Sequence, residues 1–294
     1  MKTLSTHYQE SGRINIGRLG LGLLILILAC LVLGYVYSML IHFIPLIYFT
    51  FFVTVGFGIS LAFCFKFTMH LIKNRNEATR YILVLATLFF ATYFQWVGFV
   101  ASVILEGYPN PIEYLNSTML FLNPVGLFAL IGEINTYGTW GIGSAGTPIN
   151  GAILAIIWLA EIIIIGFPLV MAALNYEVNP YSEKLNKWYD KLTINDDFEA
   201  VTTTKTVESN LNEGVLEALL ALKPGNAFRH SKVHLHFLEG EDDQYLSIDR
   251  VYIETGKNDK VNTTPIVKNY RITPETAQAI KDHFSLKKEN LFLA

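Results

Sequence analysis

The chain has 294 residues, 52% of them apolar, and a mean hydropathy of +0.37, values typical of a membrane protein. Its net charge of −3 indicates neither a nucleic-acid partner nor an acidic polymer. The two cysteines, Cys30 and Cys64, lie in apolar runs and exclude a disulfide framework. Charge is unevenly distributed: no Asp, Glu, Lys or Arg occurs in the 47 residues between Arg18 and Lys66, whereas charged residues are frequent after Lys184.

Four apolar stretches are long enough to cross a bilayer, which takes about 20 residues in a helix. The uncharged run of 47 residues is too long for one helix and sufficient for two. Two further apolar stretches follow, one after the first basic loop and one before the charged C-terminal part. The sequence therefore predicts a four-helix transmembrane bundle, with helices at about 19–39, 46–70, 81–105 and 151–174.

The basic residues that flank these helices all fall on one side of the predicted bundle. The connections at 40–45 and 106–150 contain no Lys or Arg. Because cytoplasmic loops are enriched in Lys and Arg, the N-terminal arm (1–18) and the C-terminus are predicted to be cytosolic, with the protein in the cytoplasmic (inner) membrane. Ten residues carry this prediction: Lys2, Arg13, Arg18, Lys66, Lys73, Arg75, Arg80, Lys184, Lys187 and Lys191.

Residues 106–150 are predicted to form an extracytoplasmic, interfacial helical hairpin. The segment 117–132 is apolar for 16 residues, but Asn123-Pro124 interrupts it, and a fifth crossing would reverse the charge rule. A broken re-entrant pair that lines a pore is the alternative. The predicted apolar underside of the two short helices consists of Leu115, Met119 and Leu122, then Leu127, Leu130, Ile131 and Ile134.

The C-terminal part is predicted to begin with a juxtamembrane amphipathic helix at 181–192, in which apolar residues alternate with three lysines at helical spacing. A cytosolic α+β domain at 195–294 follows, with an antiparallel sheet of three or four strands. Its predicted strands are 198–207, 232–238, 244–254 and 265–272, and its predicted helices are 212–223 and 273–284.

Glu161 is the candidate functional residue of the predicted bundle. It lies near the middle of the fourth helix, where a charge costs about 2.5–3.5 kcal/mol on insertion scales, so we expect it to face other helices or water. Two interpretations remain open: an ion- or proton-sensitive site, or a hydrogen bond that holds helices or subunits together. The predicted site comprises Glu161 with Gln95 as its main partner and Tyr93 and Thr92 as second choices, and the predicted helix bend comprises Gly166 and Pro168.

His234 and His236 are weak candidates for metal ligands. Two imidazoles two residues apart on a strand share a face, but a third ligand at suitable spacing is missing. We therefore expect solvent-exposed histidines and no metal. No GxSxG, HExxH or CxxC motif is present, so neither enzymatic activity nor a cofactor is expected.

Two functions from different classes remain open. The first is a non-enzymatic membrane sensor, anchor or effector, in which the cytosolic domain binds a partner protein or small ligand and is coupled to the bundle. The second is a small ion channel or transporter that uses Glu161 and Gln95. For both, the bilayer and further copies of the chain in a homo-oligomer are the expected partners.

Overall fold

The computed structural model describes residues 6–44, 47–138, 141–142, 147–176, 179–254 and 260–289. The chain divides into two compact units. We call residues 11–176 the helical unit, and residues 1–10 together with 177–294 the α+β unit. The α+β unit is therefore built from both ends of the chain.

The helical unit contains four helices that are long and apolar enough to cross a membrane. They lie within a few residues of the four predicted helices, although two begin earlier than predicted. In chain order the elements are α1 (Ile16–Phe43), α2 (Ile47–Leu71), α3 (Glu77–Ile104), α4 (Pro111–Asn116), α5 (Thr118–Leu122), α6 (Pro124–Tyr137), β1 (Gly141–Ile142), β2 (Thr147–Pro148) and α7 (Gly151–Leu174).

Asparagine side chains fix the starts of four of these helices. Each accepts a hydrogen bond from the backbone N–H three residues further on, at 3.0 Å for Asn15, 2.9 Å for Asn76, 3.0 Å for Asn110 and 2.9 Å for Asn123. Pro124 then occupies the first position of α6, where its missing N–H costs nothing. The predicted interruption of the apolar run 117–132 is thus confirmed, because Asn123-Pro124 starts a new helix.

The long helices bury one face and expose another that is equally apolar. Leu26 and Cys30 of α1 are buried, whereas Leu24, Leu28 and Val32 of the same helix are 53%, 52% and 61% exposed. A continuous surface of large aliphatic side chains is unfavourable in water and suits hydrocarbon. The four helices are therefore compatible with a multi-pass membrane protein.

In its described residues, the connection between α3 and α7 contains three short helices and the two-residue strands β1 and β2. The longest, α6, has 14 residues and a length of about 21 Å, less than the hydrocarbon core of a bilayer, which is about 30 Å. The connection is fixed by tyrosines: Tyr93 donates to the Leu120 carbonyl at 2.6 Å, and Tyr114 donates to the Phe94 carbonyl at 3.1 Å. Residues 139–140 and 143–146 of the predicted hairpin lie outside the described residues.

The predicted apolar underside of this connection is only partly packed. Leu127 is buried, and Leu130, Ile131 and Ile134 pack against the buried cluster around it. Leu115 and Leu122, by contrast, are 54% and 83% exposed. The Met119 side chain lies outside the described residues.

The α+β unit has a six-stranded antiparallel sheet, larger than the three or four strands predicted. The strand order is β10-β5-β7-β8-β9, and β6 pairs with the beginning of β7. The elements are β3 (Tyr181–Ser182), β4 (Lys187–Trp188), β5 (Asp190–Ile194), β6 (Phe198–Glu199), α8 (Thr204–Glu213), α9 (Val215–Leu220), β7 (Arg229–Phe237), β8 (Gln244–Glu254), β9 (Lys260–Ile272), α10 (Pro274–His283) and β10 (Leu286–Lys288).

The core of this unit lies on one face of the sheet. Val233 and Leu235 of β7 are fully buried there and pair in register with Ile248 and Leu246 of β8. Side chains from α8, α9 and α10, among them Ile280, complete the apolar cluster. Val233 and Leu235, two positions apart, thus share one face of the strand.

Residues 6–8 of the predicted N-terminal arm extend this sheet beside β9. Tyr8 N–H donates to the Asn269 carbonyl at 2.9 Å, and Arg271 N–H donates to the Thr6 carbonyl at 2.8 Å. His7 is the antiparallel partner of Tyr270. The chain therefore joins the α+β unit before it enters α1.

The prediction of a juxtamembrane helix at 181–192 was wrong. This segment forms the hairpin β3–β4, with Asn186 at φ +54° in its turn, and then the sheet strand β5. Leu192 and Ile194 contribute to the core cluster, an alternation that also fits a strand. Pairing of β5 with both β7 and β10 satisfies its backbone groups, and this tertiary contact overrides the helical spacing.

The prediction for 198–223 was wrong in part. The predicted strand 198–207 is a strand only at Phe198–Glu199, and its end belongs to α8. The predicted helix 212–223 is divided between the end of α8 and α9, because Gly214 separates the two helices. Thr and Val favour strands, but the packing of α8 on the core makes the end of this segment helical.

Candidate functional site

Glu161 of α7 is hydrogen-bonded to a tyrosine of α1. The Tyr37 hydroxyl donates to Glu161 Oε1 and also lies 3.0 Å from Thr54 Oγ1 of α2. The Tyr37 side chain is only 2% exposed, and its ring stacks on Phe57 of α2 with centroids 4.6 Å apart. Three polar side chains from three long apolar helices therefore satisfy one another, which a buried polar group requires.

Among the described residues, no hydrogen bond joins Glu161 to its three predicted partners. Gln95 is buried on α3, where a Cβ on Gly34 of α1 would come within 3.0 Å of the Gln95 backbone nitrogen. Tyr93 donates to backbone carbonyls of α5, and Thr92 Oγ1 is buried without a hydrogen-bond partner among the described residues. Of the four residues in the predicted site, Glu161 is the one that the structure places in this cluster.

Tyr37 was missed because it lies in the predicted first helix, far from Glu161 in sequence. One feature of the sequence could have identified Tyr37 as a residue that needs a polar partner. A hydroxyl inside an uncharged run of 47 residues needs a partner as much as a carboxyl does. Thr54, in the same run, carries the same signal.

Gly166 and Pro168 lie within α7, which continues from Gly151 to Leu174 through both. Near Gly166 and Pro168, α7 packs closely against α2. A Cβ on Gly58 would lie 2.7 Å from the Ile165 carbonyl oxygen and 3.2 Å from Pro168 Cγ. Pro168 has no N–H, so α7 lacks one backbone hydrogen bond here. Close packing of a neighbouring helix helps to compensate for this loss. The predicted bend itself stays a prediction.

A second polar cluster lies on the sheet face opposite the core of the α+β unit. His234 and His236 are 6% and 3% exposed, so the expectation of solvent-exposed histidines was wrong. The cause is the position of β7, which has β5 on one side and β8 on the other. Because β5 was expected to be helical, this coverage could not be foreseen.

His234 is held by groups from the two neighbouring strands, β5 and β8, and from the chain after β10. Its Nε2 lies 3.2 Å from Asp249 Oδ2, and its Nδ1 lies 2.7 Å from Thr193 Oγ1 and 3.6 Å from Glu289 Oε1. Lys191 Nζ lies 3.0 Å from the other Glu289 oxygen. Burial alone would raise the pKa of Glu289, but hydrogen bonds from Thr193 and Lys191 hold it below its ordinary value.

His236 has one nitrogen satisfied and one unsatisfied. Nε2 lies 3.1 Å from Ser247 Oγ, whereas Nδ1 is buried with no hydrogen-bond partner among the described residues. Burial, and then the positive charges of Lys191 and His234, lower the pKa of His236 from 6.5 to about 3. Its imidazole is therefore neutral at pH 7, at a cost to stability that an unpaired buried nitrogen imposes.

Within the described part of the chain, no group of three or more His, Cys, Asp or Glu side chains is arranged to hold a metal ion. The Nε2 atoms of His234 and His236 face Asp249 and Ser247. The described contacts of this cluster are hydrogen bonds and ion pairs.

Comparison with protein-family models, with characterised proteins and with solved structures finds no match to the chain.

Proposed function

We propose that the protein is a non-enzymatic integral membrane sensor whose α+β unit lies in the cytosol and is coupled to a bundle of four transmembrane helices. A small ligand or a partner protein is the expected input. The observation that carries this proposal is that the α+β unit includes both residues 6–8 and the chain after α7. Both α1 and α7 are thus covalently joined to it through short connections.

The same observation supports an even number of crossings. Residues 6–8 pair with β9, and α1 begins at Ile16. The eight residues from Tyr8 to Ile16 span at most about 29 Å when fully extended, too little to cross a bilayer and its headgroups. This supports both ends on one side, which the distribution of basic residues assigns to the cytosol.

The Tyr37–Glu161 hydrogen bond would couple the helical bundle to the α+β unit. It joins α1 to α7, the two helices that lead directly into the α+β unit. A ligand that moves one of these helices relative to the other would strain this bond, and by thermodynamic reciprocity its loss would then act on the α+β unit. Hydrogen bonds between membrane helices contribute about 0.6–1.7 kcal/mol, enough to bias a two-state equilibrium.

The buried cluster around His234 and His236 is the proposed input site. A buried imidazole with an unpaired nitrogen lowers stability, and functional sites are where such groups are retained. A ligand donor that reached His236 Nδ1 would satisfy it. The experiment below tests the coupling, and it needs no knowledge of the ligand.

The test compares two Tyr→Phe variants of the full-length protein in lipid nanodiscs by hydrogen exchange. Tyr37→Phe removes the hydroxyl that binds Glu161 and keeps the ring on Phe57. We expect the amides of Tyr8 and Arg271, which report the pairing of residues 6–8 with β9, to exchange about threefold faster or more.

Tyr93→Phe is the matched control. It removes a hydroxyl that binds backbone carbonyls of α5, and α3 is not adjacent in the chain to the α+β unit. Equal exchange at Tyr8 and Arg271 in the wild type and in both variants would contradict the coupling.

The polar groups of Thr54, Tyr37 and Glu161 follow one another across three helices. This arrangement favours the alternative function, an ion or proton path in a homo-oligomer. Thr54 Oγ1 lies 2.9 Å from the Thr50 carbonyl and 3.0 Å from the Tyr37 hydroxyl, which reaches Glu161. Flux of protons or K⁺ in liposomes distinguishes the two functions. A path predicts flux above that of empty liposomes and its loss in Glu161→Gln, whereas the sensor predicts background flux for both proteins.

A further inference from the structure

The end of α5 is fixed to the middle of α3. The Tyr93 hydroxyl lies 2.6 Å from the Leu120 carbonyl oxygen and 2.8 Å from the Phe121 carbonyl oxygen. The ring of Phe121 also packs on Phe94, with ring centroids 5.6 Å apart. Two neighbouring residues of α3 thus hold the place at which α5 ends and α6 begins. We call residues 120–126 the α5–α6 corner.

The position of Tyr93 along α3 gives the depth of this corner. The chain has no Asp, Glu, Lys or Arg for 25 residues between Arg80 and Glu106, and Tyr93 is the central residue of that stretch. Along the helix axis, Tyr93 lies about 17 Å from Ile104, the last residue of α3. Half of the hydrocarbon core of a bilayer is about 15 Å thick. If α3 crosses the bilayer, the corner therefore lies near the midplane.

Side chains satisfy backbone groups of the corner that hydrocarbon would leave unpaired. The last carbonyls and the first N–H groups of a helix have no partner within it, and each costs several kcal/mol in hydrocarbon. At the end of α5, the Tyr93 hydroxyl reaches two such carbonyls. At the start of α6, Asn123 Oδ1 accepts from the Gly126 N–H at 2.9 Å, and Pro124 has no N–H. Groups of the protein thus take the place of water here.

The helix α6 leads from the corner to the beginning of α7. The Thr136 carbonyl, in the last turn of α6, accepts a hydrogen bond from Asn150 Nδ2 at 3.2 Å. Asn150 is the residue that precedes the first turn of α7. The 14 residues of α6 have a length of about 21 Å, enough to connect the middle of α3 with the level at which α7 begins. The segment therefore returns to the side on which α3 ends.

Large apolar side chains are exposed at the corner and just beyond it. Leu122 and Val125 are 83% and 79% exposed, and Phe128 is 61% exposed. This surface is continuous with an exposed side chain of α3, because Phe89 is 55% exposed and stacks on Tyr93 with ring centroids 6.1 Å apart. A continuous apolar surface of this kind suits hydrocarbon.

We propose that α5 and α6 form a re-entrant pair that dips into the bilayer from the side on which α3 ends, with Leu122 and Val125 in contact with lipid acyl chains near the midplane. The pair lies deeper than the interfacial hairpin that the sequence predicts. Acyl chains are the occupant of this surface because it is apolar and continuous with Phe89. The proposal requires that α3 crosses the bilayer, and it is independent of the sensor function.

The test is the accessibility of nitroxide labels on the full-length protein in liposomes. Single cysteines carry the label, in a chain with Cys30 and Cys64 replaced by alanine. Molecular oxygen concentrates in hydrocarbon, whereas a charged nickel chelate stays in water. We expect labels at Leu122→Cys and Val125→Cys to collide more often with oxygen than with the chelate. Both side chains are exposed, so a label there displaces no packed group.

Phe89→Cys and Glu133→Cys are the matched references. Phe89 is an exposed residue about 6 Å along α3 from Tyr93, and Glu133 is an exposed residue in the second half of α6. The ratio of oxygen to nickel collisions at Leu122→Cys should match the ratio at Phe89→Cys and exceed that at Glu133→Cys.

A ratio at Leu122→Cys as low as that at Glu133→Cys overturns the proposal, because it would place the corner at the membrane surface or in a water-filled pore. Loss of collisions with both reagents at Leu122→Cys overturns it as well, and would assign this surface to contact with a second copy of the chain.

Discussion

His236 shows at the scale of one residue what the sheet does to a titratable group. Its pKa in the folded protein is about 3, below the ordinary 6.5, because burial and the charges of Lys191 and His234 disfavour the imidazolium. The unfolded chain therefore binds more protons than the folded chain between these two values. Stability from this group is complete above pH 6.5 and is lost as the pH falls.

The predicted slope is about 1.4 kcal/mol of unfolding free energy per pH unit below pH 6.5. Urea unfolding of the α+β unit in the full-length protein, followed by pulse proteolysis, measures it. His236→Gln should remove most of this dependence above pH 5, where carboxylates contribute little. His283→Gln, at an exposed histidine of α10, should retain it, and a slope that survives in His236→Gln would contradict the assignment.

Residue by residue, the sequence predicts which polar groups need partners better than it predicts the partners. Glu161 is identifiable because a carboxylate in an apolar helix must be satisfied. Its partner Tyr37 lies 124 positions away, and only the packing of α1 and α7 against the same two helices, α2 and α3, brings the two together. Gln95 has a similar depth in its own helix, but depth alone does not fix the direction in which a side chain points.

At the scale of elements, the contact between α2 and α7 depends on one glycine. A Cβ at Gly58 would meet the Ile165 carbonyl oxygen at 2.7 Å, whereas a Cβ at Gly56 has no heavy atom within 4 Å among the described residues. Gly58→Ala must therefore separate the two helices. We expect a loss of about 1–3 kcal/mol, the usual cost of overpacking.

Gly56→Ala is the control for that prediction and should be neutral or slightly stabilising, because alanine is the better helix former. The thermal midpoint of each variant in detergent measures the effect. Equal midpoints for the two variants would show that α2 and α7 do not pack as closely as described.

The elements also divide into those that the sequence predicts and those that it does not. Long apolar helices are read from composition, and strands such as β8 from local alternation. The segment 181–192 defeats this reasoning, since its spacing fits a helix while its backbone pairs with distant strands. Leu192 is opposite Leu235 on one side and Lys288 on the other, and no local pattern records those pairings.

At the scale of the whole molecule, the two ends of the chain meet in one unit. Residues 6–8 are too few to show any pattern, so their addition to the sheet was beyond sequence analysis. This shared unit also affects experiments on fragments of the chain. A fragment limited to 195–294 lacks β5 and the strand at residues 6–8, and it should be less stable than the same domain in the full-length protein.

We propose a topology with four membrane crossings, both ends in the cytosol, and the connection between α3 and α7 outside. Single cysteines at the exposed positions 9, 133 and 282, in a chain with Cys30 and Cys64 replaced by alanine, test it most directly. The measurement is labelling by a membrane-impermeant maleimide in right-side-out and inside-out vesicles. We expect Gln9→Cys and Asp282→Cys to react in inside-out vesicles alone and Glu133→Cys to react in right-side-out vesicles alone. Labelling of positions 9 and 282 from opposite sides, or of position 133 from the same side as both, would contradict it.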